Sequence, residues 1–324
     1  MDFVVHVGSP KTGTSSLQRF LQSRSEELNN KHINYLYEPG RYNANLWFSG
    51  YAPALLQAPS GRPLDELILE TRRRLWVHST AGMLNVVSAE SLFNVDPGVI
   101  QRIFAGHRIK VIAYLRNELE FLASSYAQWV QNNLDIPSIA DYLGARNSSM
   151  NQRALDRFSA AFGDAFVPRL YRQDRLISGD LISDFLTVGL DLDLADPLLD
   201  HAKAFEDQNV SLTDQVIAFK IMLLERNPDV VQKTELCYRV FGEMAKQYGE
   251  RFRLPQSVKE TVLASFVPAL DQWSRQYFAE DAVFDYHAYR FAKDDAPELS
   301  DQQYQTMEAH YLALCDQLRD QYEI

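Results

Sequence analysis

"DFVVHVGSPKTGTSSLQRFLQ", residues 2–22, decides how the rest of the chain is read. Residues 3–7, FVVHV, make an apolar run that stops at Gly8 and Pro10, as a buried parallel strand should. From Thr14 the spacing turns helical, with Leu17, Phe20, Leu21 and Leu28 on one face. A strand, a glycine loop and a helix therefore share this short stretch. Such a turn aims unpaired backbone N–H groups and the positive end of a helix dipole at an anion. Gly13 lets the backbone approach closely, with no Cβ in the way. Thr12, Thr14, Ser15 and Ser16 add hydroxyls, and Lys11 adds a mobile cation. Each charge-assisted hydrogen bond contributes roughly 1.5–3 kcal/mol, so a handful of donors holds a diphosphate-like group.

The position of the lysine narrows the choice of anion. In a Walker A loop, GxxxxGK[ST], the lysine follows the second glycine. Gly8 and Gly13 keep that spacing, but Thr14 stands where the lysine belongs and Lys11 lies inside the loop. An NTPase would also want an acidic residue at a strand end for Mg²⁺. The strand expected at 109–115, IKVIAYL, runs instead into Arg116, which suggests a further anion subsite rather than a metal. Ser124 lies on the helix expected from about Glu118 to Val130, beside a stripe of Leu119, Leu122, Ala123 and Tyr126. A guanidinium fork with a hydroxyl makes a phosphate clamp. Ligands of open α/β sheets lie at the carboxyl ends of strands, so loop and clamp should face one crevice. A nucleotide with a 5′ phosphate group and a separate 3′ phosphate fits both; ATP offers the second nothing.

Further strands are expected at 33–37, 84–92 and 165–171, the last at an edge because Pro168 cannot donate to a ladder. Residues 63–80 read as a helix. Alternating strands and helices predict an α/β, three-layer P-loop-like fold with a central, mostly parallel sheet of about five strands. Beyond residue 200 the strand signals stop, and helices are expected at 212–226, 230–248, 256–279 and 301–321. The expectation is a single domain: an α/β nucleotide-binding core over 1–195 and a helical C-terminal extension over 200–324. Tyr304, Met307, Tyr311, Leu314 and Leu318 form a stripe that packs on its own domain or, less favoured, seams a homodimer.

The 324 residues are 46% hydrophobic and 23% charged, ordinary for a soluble protein. A net charge of −11 argues against coating nucleic acid or anionic membrane. Cys237 and Cys315 have no metal-ligand spacing and read as reduced core thiols. With no basic leader ahead of Phe3 and no apolar run long enough to span a bilayer, a cytoplasmic protein is expected, not an integral membrane one. The sequons at Asn147 and Asn209 then read as accidental.

Two motifs together carry a resemblance. "PKTGTSSLQ" looks like the 5′-phosphosulfate loop of sulfotransferases that use 3′-phosphoadenosine 5′-phosphosulfate (PAPS), and "RNELEFLASSY" is similar to their 3′-phosphate motif, R-N-x6-S-x-Y. The motifs stand in the expected order, and the resemblance covers roughly residues 1–190. "RQDRLISGDLISDFLTVGL" (172–190) resembles, more weakly, a segment of bacterial members. Glu118 departs from the pattern, which has proline there. The resemblance implies a P-loop-like sheet, PAPS as co-substrate and no metal. It implies that Lys11 stabilises the leaving nucleotide, that Thr12, Gly13, Thr14 and Ser15 cradle its 5′ side, and that Arg116 and Ser124 bind the 3′ phosphate.

Sulfuryl transfer also needs a base for the acceptor. The family places a histidine or glutamate near the end of its third core strand; here "VVSAESL" offers Ser88 and Glu90, which strand alternation sends to one side. Glu90 is the expected base, with His6, in the first strand, as its competitor. His78 sits in "RRRLWVHST", a solvated helix face or an acidic-glycan surface, and Tyr171 is a candidate for touching adenine. For the acceptor, a hydroxyl-bearing glycan, lipid or small metabolite, candidates are Tyr42, Asn45, Trp47 and Tyr51, and Gln128, Trp129 and Gln131. A P-loop kinase with a displaced lysine and a non-catalytic nucleotide- or glycan-binding protein are the alternatives.

Overall fold

The computed structural model describes residues 1–37, 63–145, 149–205, 211–228, 235–293 and 299–322. In chain order the first half holds β1 (Asp2–His6), α1 (Thr14–Ser23), α2 (Ser25–Asn30), β2 (Ile33–Tyr35), α3 (Leu64–His78), β3 (Leu84–Ser88), α4 (Pro97–Ile103) and β4 (Arg108–Leu115). There follow α5 (Glu118–Asn132), α6 (Ile139–Gly144), α7 (Met150–Phe162), β5 (Phe166–Leu170), α8 (Leu181–Asp184) and α9 (Pro197–Lys203). The last third holds α10 (Asp214–Arg226), α11 (Glu235–Met244), α12 (Lys259–Phe278) and α13 (Asp301–Tyr322). These residues group into two compact units, one of 1–116 with 150–207 and the other of 117–149 with 208–324. The helix after β4 thus belongs with the C-terminal helices, whereas the sequence places its division near 195–200.

The first unit is α/β. Its five strands are all parallel, in the order β2-β3-β1-β4-β5. Val4 stands opposite Val86 of β3 and Lys110 of β4, and His6 opposite Ser88 and Ile112. On that face Val4, Val86, Ile112 and Tyr114 pack with Leu17, Phe20 and Leu21 of α1 and with Phe185 and Leu186. Burying each such side chain stabilises by about 1.5–3 kcal/mol. Across the sheet Phe3 meets Phe104 edge-on, ring centroids 5.1 Å apart, and Phe166 stacks on Phe158 of α7 at 5.5 Å. The result is three layers. Pro168 sits on the edge strand as expected. Because Tyr171 N–H donates to Leu115 O at 2.7 Å, alternation turns the Pro168 nitrogen away from β4.

The expected third strand was longer than the one found. Leu92 and Phe93 continue its apolar run, but β3 ends at Ser88, and a 3₁₀ turn over Glu90–Asn94 buries both residues instead.

A buried carboxylate holds the chain that follows β5. Asp184 is 0% exposed; it accepts from Tyr114 Oη at 3.0 Å, from Ile177 N at 3.0 Å and from the Arg169 guanidinium. Burial and the Asp184 charge push the Tyr114 hydroxyl well above its ordinary pKa. The hub therefore ties β4, β5 and the 177–184 segment together.

The second unit is helical. Its α13 stripe is used within the unit: Tyr311 packs on Phe241 and Phe219, with ring centroids 5.2 and 6.2 Å away. Tyr304, Met307 and Leu318 are buried too. The buried Lys220 donates to the carbonyls of Val130, Gln131 and Asn133 and so closes the C-terminal end of α5. Cys237 and Cys315 are both buried and neither is in a disulfide. Among the described residues no helix is long and apolar enough to cross a membrane.

Candidate functional site

The loop after β1 continues the sheet before it turns. Ser9 N–H donates to Tyr114 O at 3.1 Å, and Tyr114 N–H donates to Gly8 O at 2.8 Å. Three residues then take positive φ: Gly8 at 95°, Lys11 at 65° and Gly13 at 79°. Glycine adopts this region freely; lysine is strained there. Arg116, at the end of β4, secures the strained residue, its Nη1 donating to Lys11 O at 2.7 Å. The guanidinium also lies over the Tyr171 ring, 5.8 Å from its centroid. Arg116 is only 7% exposed, so loop and strand end form one packed corner.

Helix α1 leaves this corner with its N-terminal donors uncommitted to any side-chain cap. Ser16 and Leu17 N–H groups turn back to Gly13 O, while the N–H groups of the first turn before them have no intrahelical partner. Thr14 is 3% exposed, and its hydroxyl has no protein partner. A buried hydroxyl in that condition costs about 1–3 kcal/mol unless something accepts from it or donates to it. Ser15 is exposed beside it. Thr12 behaves differently: its buried hydroxyl donates to Ser9 O at 2.7 Å and braces the loop from within. Gly13 is confined as well as positive in φ. A Cβ there would lie 2.9 Å from Leu181 Cδ2 and 3.4 Å from the Tyr171 hydroxyl.

Glu90 stands against the same loop. A Cβ on Gly8 would lie 3.4 Å from the Glu90 Cα and 3.6 Å from its Cγ, so Glu90 packs directly against this glycine. Burial raises the Glu90 pKa above the usual carboxylate range, and the nearby Lys11 cation opposes that rise. A half-buried carboxylate with a raised pKa beside a lysine cation is a pairing suited to a proton acceptor.

The strand alternation that paired Ser88 with Glu90 stops at Ser88, the last residue of β3. Ser88 is fully buried, with its Oγ 2.8 Å from His6 Nδ1. Burial depresses the His6 pKa to about 3, so the ring is neutral, packed edge-on to Tyr114 and tilted against Phe185. His6 is fully buried in the core.

Lys11, Thr12, Gly13, Thr14, Ser15, Glu90 and Arg116 thus meet at one end of the first unit's sheet. Ser124 belongs to the second unit, buried on α5 at 6% exposure. Gln128 and Trp129 are exposed on that helix and Gln131 is buried, its amide donating to Tyr238 O. Tyr42, Asn45, Trp47 and Tyr51 lie outside the described residues. Arg73, Arg74, Val77 and His78 line a depression of about 230 Å³, and Asn34 of the edge strand β2 donates to His78 O. Two participants were not assigned from sequence: Gln18, visible only as one helical turn after Thr14, and Leu181, whose contact with Gly13 has no local signal. No protein-family model matches the chain, and no curated protein matches it.

Proposed function

We propose that this chain is a sulfotransferase that moves a sulfuryl group from PAPS to a hydroxyl of a glycan, lipid or small-molecule acceptor. The observation that carries the reading is the corner itself. A lysine lies inside the glycine loop, and the strand end where an NTPase would hold a metal-binding acid carries an arginine bonded to that lysine's carbonyl. The motif pair of residues 10–18 and 116–126 supports the same assignment.

In this reading the first-turn N–H groups of α1, with Thr14 and Ser15, receive the 5′ phosphate oxygens. Arg116 meets the 3′ phosphate, the role that the motif resemblance gives it together with Ser124. The acceptor oxygen attacks sulfur, an O–S bond forms, and the bond from sulfur to the bridging phosphate oxygen breaks. The acceptor's proton passes to Glu90, and the charge left on the departing phosphate is met by Lys11.

The reading is tested by thermal shift. 3′-Phosphoadenosine 5′-phosphate should raise the melting temperature more than ATP with Mg²⁺ does, since only the former serves both anion subsites. Equal or greater stabilisation by ATP with Mg²⁺ would sink the reading in favour of a kinase. Glu90→Gln should keep nucleotide binding and lose turnover; bound nucleotide without transfer in the wild type would mark a non-catalytic binder. Because the Glu90 pKa is raised, its carboxylate protonates earlier as pH falls. The acid limb of the transfer rate should therefore lie above the usual carboxylate range, and be absent from the residual rate of Glu90→Gln.

A further inference from the structure

Besides the buried hydroxyls of Thr14 and Ser16, α1 buries one amide among its apolar residues. Leu17, Phe20 and Leu21 are fully buried, and Gln18 is buried among them at 8% exposure. Its amide reaches across the layer. Nε2 donates to Ser88 O at 3.1 Å and lies 3.4 Å from Ser88 Oγ. That hydroxyl is held from the other side by His6 Nδ1 at 2.8 Å. Ala89, the next residue, donates its N–H to His6 O at 2.9 Å, and Glu90 follows at once. The two residues before Glu90 are therefore fixed by β1 and by a single side chain from α1.

A leucine would fill the same layer without desolvating an amide. What the amide adds is direction: a hydrogen bond fixes distance and orientation, where apolar packing fixes only volume. Gln18 lies four residues after Thr14, so it shares the helix face of the residue that bears the orphan hydroxyl. The helix whose first turn meets the anion and the strand end that carries the carboxylate are thereby joined as one body.

We propose that Gln18 is a positioning residue, which by holding Ser88 sets where the Glu90 carboxylate stands against the glycine loop, with His6 locking the Ser88 hydroxyl. The role assigned to Glu90 rests on the sulfotransferase reading; the geometric coupling between Gln18 and Glu90 does not. Binding of an anion at the start of α1 then orders the carboxylate, and a displacement of α1 displaces it. Misplacement of a reacting group by about 1 Å costs on the order of 100-fold in rate.

The test follows the Glu90 carboxyl by carbon NMR in the full chain, its signal assigned by its loss in Glu90→Gln. In the wild type the carboxyl titrates above an ordinary glutamate. In Gln18→Met, similar in size but without the donor, the strand end relaxes toward water and the midpoint moves down, toward that of an exposed glutamate. Ser88→Ala, which loses the hydroxyl and keeps the carbonyl partner, gives a smaller shift of the same sign and serves if Gln18→Met does not fold. An unchanged midpoint in whichever of the two variants folds overturns the inference. Affinity for 3′-phosphoadenosine 5′-phosphate, measured alongside by calorimetry, judges the sulfotransferase reading separately. No binding by the wild type removes that reading and leaves the titration to decide the coupling.

Discussion

On the proposed sulfotransferase reading, Lys11→Met should abolish sulfuryl transfer while leaving the fold intact. The substitution keeps most of the aliphatic stem and removes the only cation that the glycine loop itself carries. Its backbone would keep the positive φ and the Arg116 bond to the carbonyl, because neither depends on the ammonium. The loss falls on the step in which the phosphate oxygen departs, where removing one preorganised charge-stabilising donor costs on the order of 10²–10³-fold in rate. Affinity for 3′-phosphoadenosine 5′-phosphate should fall by about 10-fold or more, as expected from one charge-assisted hydrogen bond. Radiolabelled PAPS offered with a panel of hydroxyl acceptors reads the rate, and calorimetry the affinity. Transfer by Lys11→Met at the wild-type rate would remove the lysine from the mechanism. Because Lys11 also opposes the rise of the Glu90 pKa, the variant should move any residual acid limb further up in pH.

The largest loss of stability is expected at Asp184→Ala. The carboxylate has no exposed surface and collects the Arg169 guanidinium, the Tyr114 hydroxyl and the Ile177 N–H. Removing it strands a partly buried guanidinium and a buried phenol. Breaking a buried ion pair from one side costs about 3–5 kcal/mol, which corresponds to a fall in melting temperature of roughly 10 °C. Calorimetric melting of the full chain checks it, and a fall of less than 3 °C, read as about 1 kcal/mol, would show that the hub does not hold the unit together. Arg169→Met should do comparable damage, since it leaves the carboxylate buried with its charge unmet. The double variant should cost less than the sum of the two. Leu181, which presses on Gly13, rides on the same short helix as Asp184, so the damage should extend to the glycine loop.

The sheet was legible because each of its strands is a run of apolar residues closed by a turn signal. FVVHV ends at Gly8, INYLY at Pro39 and IKVIAYL at Arg116. Pro168 even told which strand lies at the edge. The loop was legible where its geometry is local: Gly13, Thr14 and Lys11 are neighbours in sequence, and the turn they make places them together. What remained hidden depends on distant residues. Ser88 and Glu90 sit two apart on what reads as one strand, but β3 ends at Ser88 and a 3₁₀ turn that buries Leu92 and Phe93 carries Glu90. Thr12 looked like one more ligand donor until the fold gave its hydroxyl to Ser9 O. Gln18 and Asp184 are polar residues in apolar surroundings, and only tertiary structure names their partners. The periodicity of 118–130 predicted a helix correctly, yet no periodicity says with which elements a helix packs.

Pro168 has a further effect on how copies of this chain could meet. A strand laid alongside β5 in line with the sheet would reach, midway along those five residues, a nitrogen that carries no hydrogen. Edge-to-edge growth into a continuous two-molecule sheet, or into fibrils, is interrupted at that point.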